Sequence, residues 1–156
     1  METKDVLLAM YTEQTTQARQ HEDMRATAAN LIFGAGALVA GWLFKDADQS
    51  HGQDAFAIGL IFIGLFGALI SAKHYERNRY HVAIARSYRR ALEELLPESK
   101  ITALRDAGAC DHTKKHPLLS AIRLNWMWNA VSLLYVFAGV WYLGSAQLSV
   151  TADAPR

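Results

Sequence analysis

Three stretches of the chain contain no charged residue, and polar sequence separates them. Charges are absent over residues 26–44, 55–72 and 124–150. About 18 consecutive apolar residues are enough to cross the hydrocarbon core of a bilayer as a helix. The apolar positions are continuous rather than alternating, so helices are predicted rather than the strands of a barrel. The pattern therefore predicts an all-α membrane protein with three transmembrane helices, over 27–44, 55–72 and 124–144.

The first two spans are predicted to have long cytoplasmic helical extensions. A weakly apolar face with helical spacing before the first span carries Val6, Met10, Gln14, Gln17, His21 and Met24 or Arg25. After the second span, no glycine or proline separates Ile70 from Leu96, and the helix is predicted to stop near residue 96 because Pro97 follows. A short helix over 98–107, closed by Gly108, is predicted next. The remaining segments are an N-terminal helix over 1–26, an outer loop over 45–54, a basic helical region over 73–123 and an outer tail over 145–156.

The distribution of lysine and arginine gives the orientation of the spans. Of the 16 lysines and arginines, all but Lys45 and Arg156 lie before the first span or between the second and third spans. Cytoplasmic segments of membrane proteins carry such a positive excess. The N-terminus and the region 73–123 are therefore predicted to face the cytoplasm, and the C-terminus the opposite side. Tryptophans at the span ends, Trp42, Trp126 and Trp141 among them, agree with two membrane interfaces.

Several classes of function are disfavoured by the composition of the chain. The predicted spans contain no Asp, Glu, Lys, Arg or His, which weighs against a proton-coupled transporter or a voltage sensor. The sequence carries no recognisable catalytic motif, so neither an enzyme nor a cofactor is predicted. Cys110, His112 and His116 are three soft ligands within seven residues. A structural zinc site takes four ligands, so no metal site is predicted.

Small and polar residues inside the predicted spans indicate positions that pack helices together or line a pore. These residues are Asn30, Gly34, Gly64, Ala68, Ser71, Asn125, Asn129, Ser132 and Gly139. Small residues at a spacing of four allow helix backbones to approach closely, and Asn and Ser form hydrogen bonds between helices. Such packing within one chain and between chains both remain open. The alternative is a water-accessible vestibule that narrows to an apolar constriction.

The segment that follows the second span is rich in arginine and tyrosine. The predicted ligand-binding residues are Arg77, Arg79, Arg86, Arg89, Arg90, Tyr80 and Tyr88. Guanidinium groups bind phosphate through paired N–H donors, and an aromatic ring stacks on a base. Three interpretations stay open. The charges fix the topology alone, bind anionic lipid head groups, or bind a phosphate-bearing ligand such as a nucleotide.

Two segments carry a resemblance to a known family. They are the entry into the first span, "YTEQTTQARQHEDMRATAANLIFG", and the exit from the second, "SAKHYERNRYHVAIARSYRRALE". Over residues 11–96 the chain resembles the SLATT-type small bacterial membrane effectors of conflict and anti-phage systems. The resemblance implies a bacterial inner-membrane location, so the C-terminus, which the charge distribution places on the outer side, is expected to be periplasmic. It also implies assembly into a pore and a nucleotide second messenger made by a partner enzyme. The third span departs from the two-span pattern of that group.

The expected function is a homo-oligomeric pore or channel that depolarises or permeabilises the membrane on a cytoplasmic, nucleotide signal. Three helices about 10 Å across cannot enclose an aqueous pore, so conduction requires several copies of the chain. Membrane lipids and further copies of the chain are the expected partners, and a nucleic acid duplex is not. The alternative is a non-conducting adaptor or scaffold that recruits a cytoplasmic partner or anionic lipid through its basic region.

Overall fold

The computed structural model describes residues 2–45, 52–96, 98, 100–121 and 124–152. Within these ranges the chain is all-helical. The helices are α1 (Thr3–Lys45), α2 (Gln53–Leu95), α3 (Ile101–Lys115), α4 (Pro117–Ala121) and α5 (Leu124–Ala152). Helices α1 and α2 and the Asn125–Ser145 part of α5 are long and apolar enough to cross a membrane. The predicted fold class, an all-α protein with three helices compatible with membrane insertion, is confirmed.

The chain divides into two compact units. The basic unit contains residues 1–24 and 73–124, and the span unit contains residues 25–72 and 125–156. Helices α1 and α2 each contribute one part to both units, because neither helix is interrupted. The predicted outer loop over 45–54 lies mostly outside the described residues.

Helix boundaries agree with the sequence at α2 and differ from it at α3. Helix α2 ends at Leu95, next to the predicted stop, although Pro97 itself is outside the described residues. The predicted helix over 98–107 is wrong, because α3 runs from Ile101 to Lys115 and continues through Gly108. A glycine inside a helix costs only about 1 kcal/mol relative to alanine, and alanines flank this one.

The end of α3 is set by the proline that follows it. His116 precedes Pro117 and has left the helical region, with φ −131° and ψ 60°, as the proline ring requires. His112, Lys114 and Lys115 lie in the last turn, where positive side chains stabilise the negative end of the helix dipole. Helix α5 continues to Ala152, so the segment predicted as an outer tail begins as helix.

The span unit is held together by a small apolar core and by aromatic contacts. Leu43, Ala57 and Leu60 are buried at its centre, and Tyr135 and Tyr142 pack against them. The Tyr135 hydroxyl donates a hydrogen bond of 2.8 Å to the carbonyl oxygen of Phe33. Many large apolar side chains of this unit are exposed, including Leu31, Leu38, Phe62, Leu69 and Phe137. An apolar outer surface of this extent is unfavourable in water and is compatible with insertion into lipid.

In the basic unit α1 and α2 pair through a seam of heptad positions. The partly or fully buried positions include 7, 11, 14, 18 and 21 on α1, and 74, 78, 81, 85, 88 and 92 on α2. This alternating spacing of three and four residues is typical of a coiled coil. Val6 and Met10, predicted on the packing face, are exposed, because the heptad seam follows Leu7 and Tyr11 instead.

Polar contacts fix the register of this seam. The Asn78 side-chain amide donates a hydrogen bond of 2.9 Å to the carbonyl oxygen of Ala18. His81 Nδ1 lies 2.8 Å from Gln14 Oε1. As α1 positions rise from 14 to 18, their α2 partners fall from 81 to 78, so the helices are antiparallel. Polar seam residues of this kind specify register at a cost in stability.

Candidate functional site

A cavity of about 240 Å³ lies in the basic unit where α1, α2 and α3 meet. Its lining residues are Tyr11, Thr15, Val82, Ala85, Arg86, Arg89 and Arg105. Three of these are arginines, and two carry hydroxyl groups. Acidic side chains are absent from this lining. We call this site the arginine cavity.

Helical spacing explains how α1 and α2 supply their part of the lining. Tyr11 and Thr15 are four residues apart on α1, so they lie on the same face one turn from each other. On α2, spacings of three and four residues likewise place the lining residues on one helix face. These residues are Val82, Ala85, Arg86 and Arg89.

The third arginine reaches the cavity because the start of α3 is tied to α2. The backbone N–H of Thr102 donates a hydrogen bond of 2.9 Å to Glu93 Oε1, and its hydroxyl donates to the other carboxylate oxygen. The first N–H groups of a helix have no partner within it, so the Glu93 carboxylate serves as the N-terminal cap. Arg105 lies one turn after Thr102 on α3.

Titration of Glu93 follows from this contact. The Thr102 hydroxyl hydrogen bond, followed by the backbone hydrogen bond, lowers the pKa of the Glu93 carboxyl. Because the folded-state pKa is lowered, the cap stabilises the fold at neutral pH. That contribution is lost only as the pH falls below the ordinary range of a glutamate. The attachment of α3, and with it Arg105, is therefore expected to be intact at neutral pH.

The three arginines differ in their available hydrogen-bond donors. Arg105 is engaged, because its Nε donates a hydrogen bond of 2.7 Å to Asp106 Oδ1. The Nε of Arg89 is buried and has no hydrogen-bond partner among the described residues. A buried donor without a partner costs about 1–3 kcal/mol, which a ligand oxygen would recover. Arg86 is exposed at the cavity edge. The cavity therefore offers guanidinium donors and hydroxyl groups, which suit a phosphate.

Most of the arginines and tyrosines predicted to bind a ligand lie outside this cavity. Arg86 and Arg89 are among its lining residues. Of the others, Arg77 lies 4.0 Å from Glu76, and Arg79 and Arg90 are exposed. Tyr80 is exposed with its ring edge on His81, and Tyr88 is a half-buried seam position.

Sequence reasoning missed the residues that α1 and α3 contribute to the cavity. Tyr11 and Thr15 share a helix face with Ala18, and an antiparallel pairing of α1 with α2 would have brought them near Arg89. No such signal existed for Arg105. Its position depends on the return of α3 toward α2 through Glu93 and Thr102.

The span-unit glycines separate into two groups. The first group packs inside the bundle: a Cβ on Gly64 would lie 2.5 Å from the Ser132 carbonyl oxygen, and one on Gly139 would lie 2.6 Å from that of Ala57. Gly36 and Gly67 are similarly close to Tyr135 and Ile32. The second group meets no atom within 4 Å and contains Gly34, Gly41, Gly59 and Gly144. Close approach of α2 and α5 therefore depends on Gly64 and Gly139.

Of the polar residues predicted along one face of the third span, Ser132 packs against α2. Ser132 is buried against Gly67, and Asn125 and Asn129 are half-buried, with Oδ1 atoms that are enclosed but have no hydrogen-bond partner among the described residues. Ser71 is also buried, and the predicted residue Ala68 is half-buried on the same helix. The Oγ atom of Ser71 also has no hydrogen-bond partner among the described residues, so hydrogen bonds between helices at Ser71, Asn125 and Asn129 stay a prediction.

Two further residues define the surroundings of this polar face. Asn30 is exposed and shares a cavity of about 210 Å³ with Trp128 and Ser132. Arg25 was predicted in the polar N-terminal helix, but it is only 1% exposed within the span unit. Its guanidinium carbon lies 5.6 Å from the centroid of the Trp128 ring, within the range of a cation–π contact. The Trp128 ring is therefore one of the groups that accommodate this buried arginine.

Metal-ligating side chains do not form a site in the part of the chain that the structure describes. Groups of three or more His, Cys, Asp or Glu able to hold a metal ion are absent there. Cys110 is exposed, and the rings of His112 and His116 contact each other on α3 with centroids 5.1 Å apart.

Comparison with known proteins identifies no relative: no family model, no curated protein and no solved structure matches the chain. The site is therefore interpreted from its own residues.

Proposed function

We propose that this chain is an oligomeric bacterial inner-membrane effector that opens a pore when a phosphate-bearing ligand, such as a nucleotide, binds in the basic unit. The arginine cavity is the observation that carries this proposal. The resemblance to SLATT-type effectors of conflict and anti-phage systems supplies its biological setting. A partner enzyme would make the nucleotide signal.

The chemistry of the arginine cavity supports a phosphate ligand. Arg86 and Arg89 present guanidinium donors, and the hydroxyls of Tyr11 and Thr15 add neutral ones. The cavity volume of about 240 Å³ is smaller than the range of about 300–1,000 Å³ typical of pockets that enclose a drug-sized ligand. The phosphate group would therefore enter the cavity while part of the ligand stays outside it.

An unfilled face of α1 supports assembly. Asn30, Gly34, Ala37 and Gly41 follow spacings of four, three and four residues, and all four are exposed. Gly34 and Gly41 meet no neighbouring atom within 4 Å. Small residues at this spacing drive helix association in lipid, where apolar burial contributes little. Copies of the chain would pack through this face.

Continuity of α1 and α2 supports the coupling of ligand to pore. Each helix contributes residues to both units without interruption. A change in the pairing of these helices on ligand binding would be carried along them, because a helix is stiffened by its backbone hydrogen bonds. The excess of lysine and arginine supports a cytoplasmic basic unit, with the cytoplasmic helical extensions predicted from the sequence.

A second candidate is a non-conducting adaptor that recruits a cytoplasmic partner or anionic lipid. It is favoured by α3, which contains no buried residue and exposes Leu104 at 70%. An exposed helix of this kind offers a surface to a partner. Both candidates use the basic unit, and only the first requires several copies.

The mass of the particle in lipid nanodiscs tests the assembly on which the pore depends. Native mass spectrometry of the wild-type chain should give one discrete closed oligomer, because three helices cannot enclose a pore. A monomer at all concentrations and lipid compositions would remove the pore and leave the adaptor.

A further inference from the structure

Three histidines meet in the seam between α1 and α2 of the basic unit. His21 on α1 contacts both His74 and His81 on α2. The Nδ1 atoms of His21 and His74 are 3.4 Å apart, and their ring centroids are 5.6 Å apart. The rings of His21 and His81 stack with centroids 5.4 Å apart. We call these three residues the histidine cluster.

The protons that this cluster accommodates can be counted. A neutral imidazole has one N–H donor and one acceptor nitrogen, whereas an imidazolium has two donors. The contact between His21 Nδ1 and His74 Nδ1 is favourable only when one nitrogen donates and the other accepts. When both rings are imidazolium, both Nδ1 atoms carry hydrogen and the two charges repel. His81 differs, because its Nδ1 lies 2.8 Å from Gln14 Oε1, which accepts the Nδ1–H of an imidazolium ring.

Charged side chains border the cluster on both helices. On α2, Glu76 faces the cluster, but its carboxylate is held by Lys73 at 2.6 Å, and Arg77 lies 4.0 Å away. The Lys73 hydrogen bond is the largest cause of the lowered pKa of Glu76, and the charge of His21 is a smaller one. On α1, Gln14 and the Ala18 carbonyl are the neighbouring neutral groups, and Glu22 follows His21 in the chain.

Close to His21, this seam contains little fully buried apolar surface. The buried apolar side chains of the basic unit are Ala18, Ala85 and Leu92. Burial of an alanine methyl group stabilises a contact by only about 1 kcal/mol. The pairing near His21 therefore depends on polar contacts, which protonation changes directly.

We propose that the histidine cluster makes the pairing of α1 and α2 in the basic unit sensitive to pH. The two helices stay paired when a single hydrogen lies between Nδ1 of His21 and Nδ1 of His74. They separate when both rings are imidazolium. Imidazole is the side chain that changes its charge between about pH 5 and pH 8, so the switch responds to acidification of the side that the basic unit faces. This response to pH requires neither a bound ligand nor conduction. Its test can therefore fail without contradicting the proposed function, and the proposed function can fail without contradicting it.

Hydrogen exchange of the full chain in nanodiscs tests this proposal. Exchange of peptides covering 10–24 and 73–88 would be measured at about pH 7.5 and about pH 5.5, corrected for intrinsic rates. We expect roughly tenfold faster corrected exchange at the lower pH, because helices that lose their packing partner unfold locally more often, and their backbone amides exchange in the unfolded form. An equal corrected rate at the two pH values would overturn the proposal on the wild-type chain alone.

Substitutions identify the residues responsible. The double variant His21→Gln/His74→Gln keeps amide hydrogen-bonding capacity but cannot become charged, so its corrected exchange should not depend on pH. The matched control His112→Gln removes an exposed histidine of α3 and should retain the wild-type response. The proposal fails if the double variant opens on acidification as the wild type does, or if His112→Gln abolishes the response.

Discussion

Replacing Arg86 and Arg89 with alanine is expected to abolish nucleotide-dependent ion leakage from liposomes that contain this protein. Both side chains line the arginine cavity, and Arg89 has a buried donor available to a ligand. A hydrogen bond to a charged group contributes about 1.5–3 kcal/mol, so each arginine lost should weaken ligand binding by roughly tenfold to a hundredfold. Leakage as a function of nucleotide concentration, together with direct binding measurements, gives both quantities.

The matched control is the double variant Arg79→Ala/Arg90→Ala. It removes the same charge from the same helix, but both side chains are exposed and lie outside the cavity lining. Its ligand affinity should remain within a factor of about two of the wild type, since an exposed and distant charge contributes little. Equal losses in the two double variants would show that net charge, rather than this cavity, is responsible. Lipid head groups or topology would then explain the arginines.

The second large effect is expected when either of two glycines in the span unit is replaced by leucine. Gly34→Leu should reduce the oligomer to monomer while the protomer stays folded, because Gly34 meets no atom within 4 Å. Gly64→Leu should destabilise the protomer instead, because even its Cβ would lie 2.5 Å from the Ser132 carbonyl oxygen. Overpacking of this kind costs about 1–3 kcal/mol or more, and a backbone atom cannot rotate away.

Native mass spectrometry and thermal unfolding of the two glycine variants separate these outcomes. We expect Gly34→Leu to lose the oligomer at an unchanged unfolding temperature. We expect Gly64→Leu to unfold at a lower temperature than the wild type. An intact oligomer for Gly34→Leu would exclude the α1 face as the contact between copies. An unchanged unfolding temperature for Gly64→Leu would contradict the close approach of α2 and α5.

The spans and the length of the first two helices could be predicted because their signals are local. Charge-free stretches identify spans by composition, and the uninterrupted sequence from Ile70 to Leu96 predicts one helix. The extent of α3 could not be read in the same way. Gly108 is both a common helix terminator and a tolerable helix residue, and its neighbours decide between the two.

The candidate site was only partly predictable because its other residues come together through tertiary contacts. Arg86 and Arg89 belong to a visibly basic segment, whereas Tyr11 and Arg105 join them through the pairing of α1 with α2 and the contact between Glu93 and Thr102. The histidine cluster is similar, since His21 is 53 residues from His74 in the chain. His21, His74 and His81 can be recognised as facing heptad positions in the sequence only after the register of the two helices is known.

Ion flux through the wild-type protein tests the central claim most directly. The protein would be reconstituted in liposomes and exposed to inorganic phosphate and to a panel of mononucleotides and cyclic nucleotides. A ligand-gated pore predicts flux that is low without ligand, rises with one nucleotide class and is absent from protein-free liposomes. Oligomeric protein that binds a nucleotide and still conducts nothing would contradict the account and identify the chain as an adaptor.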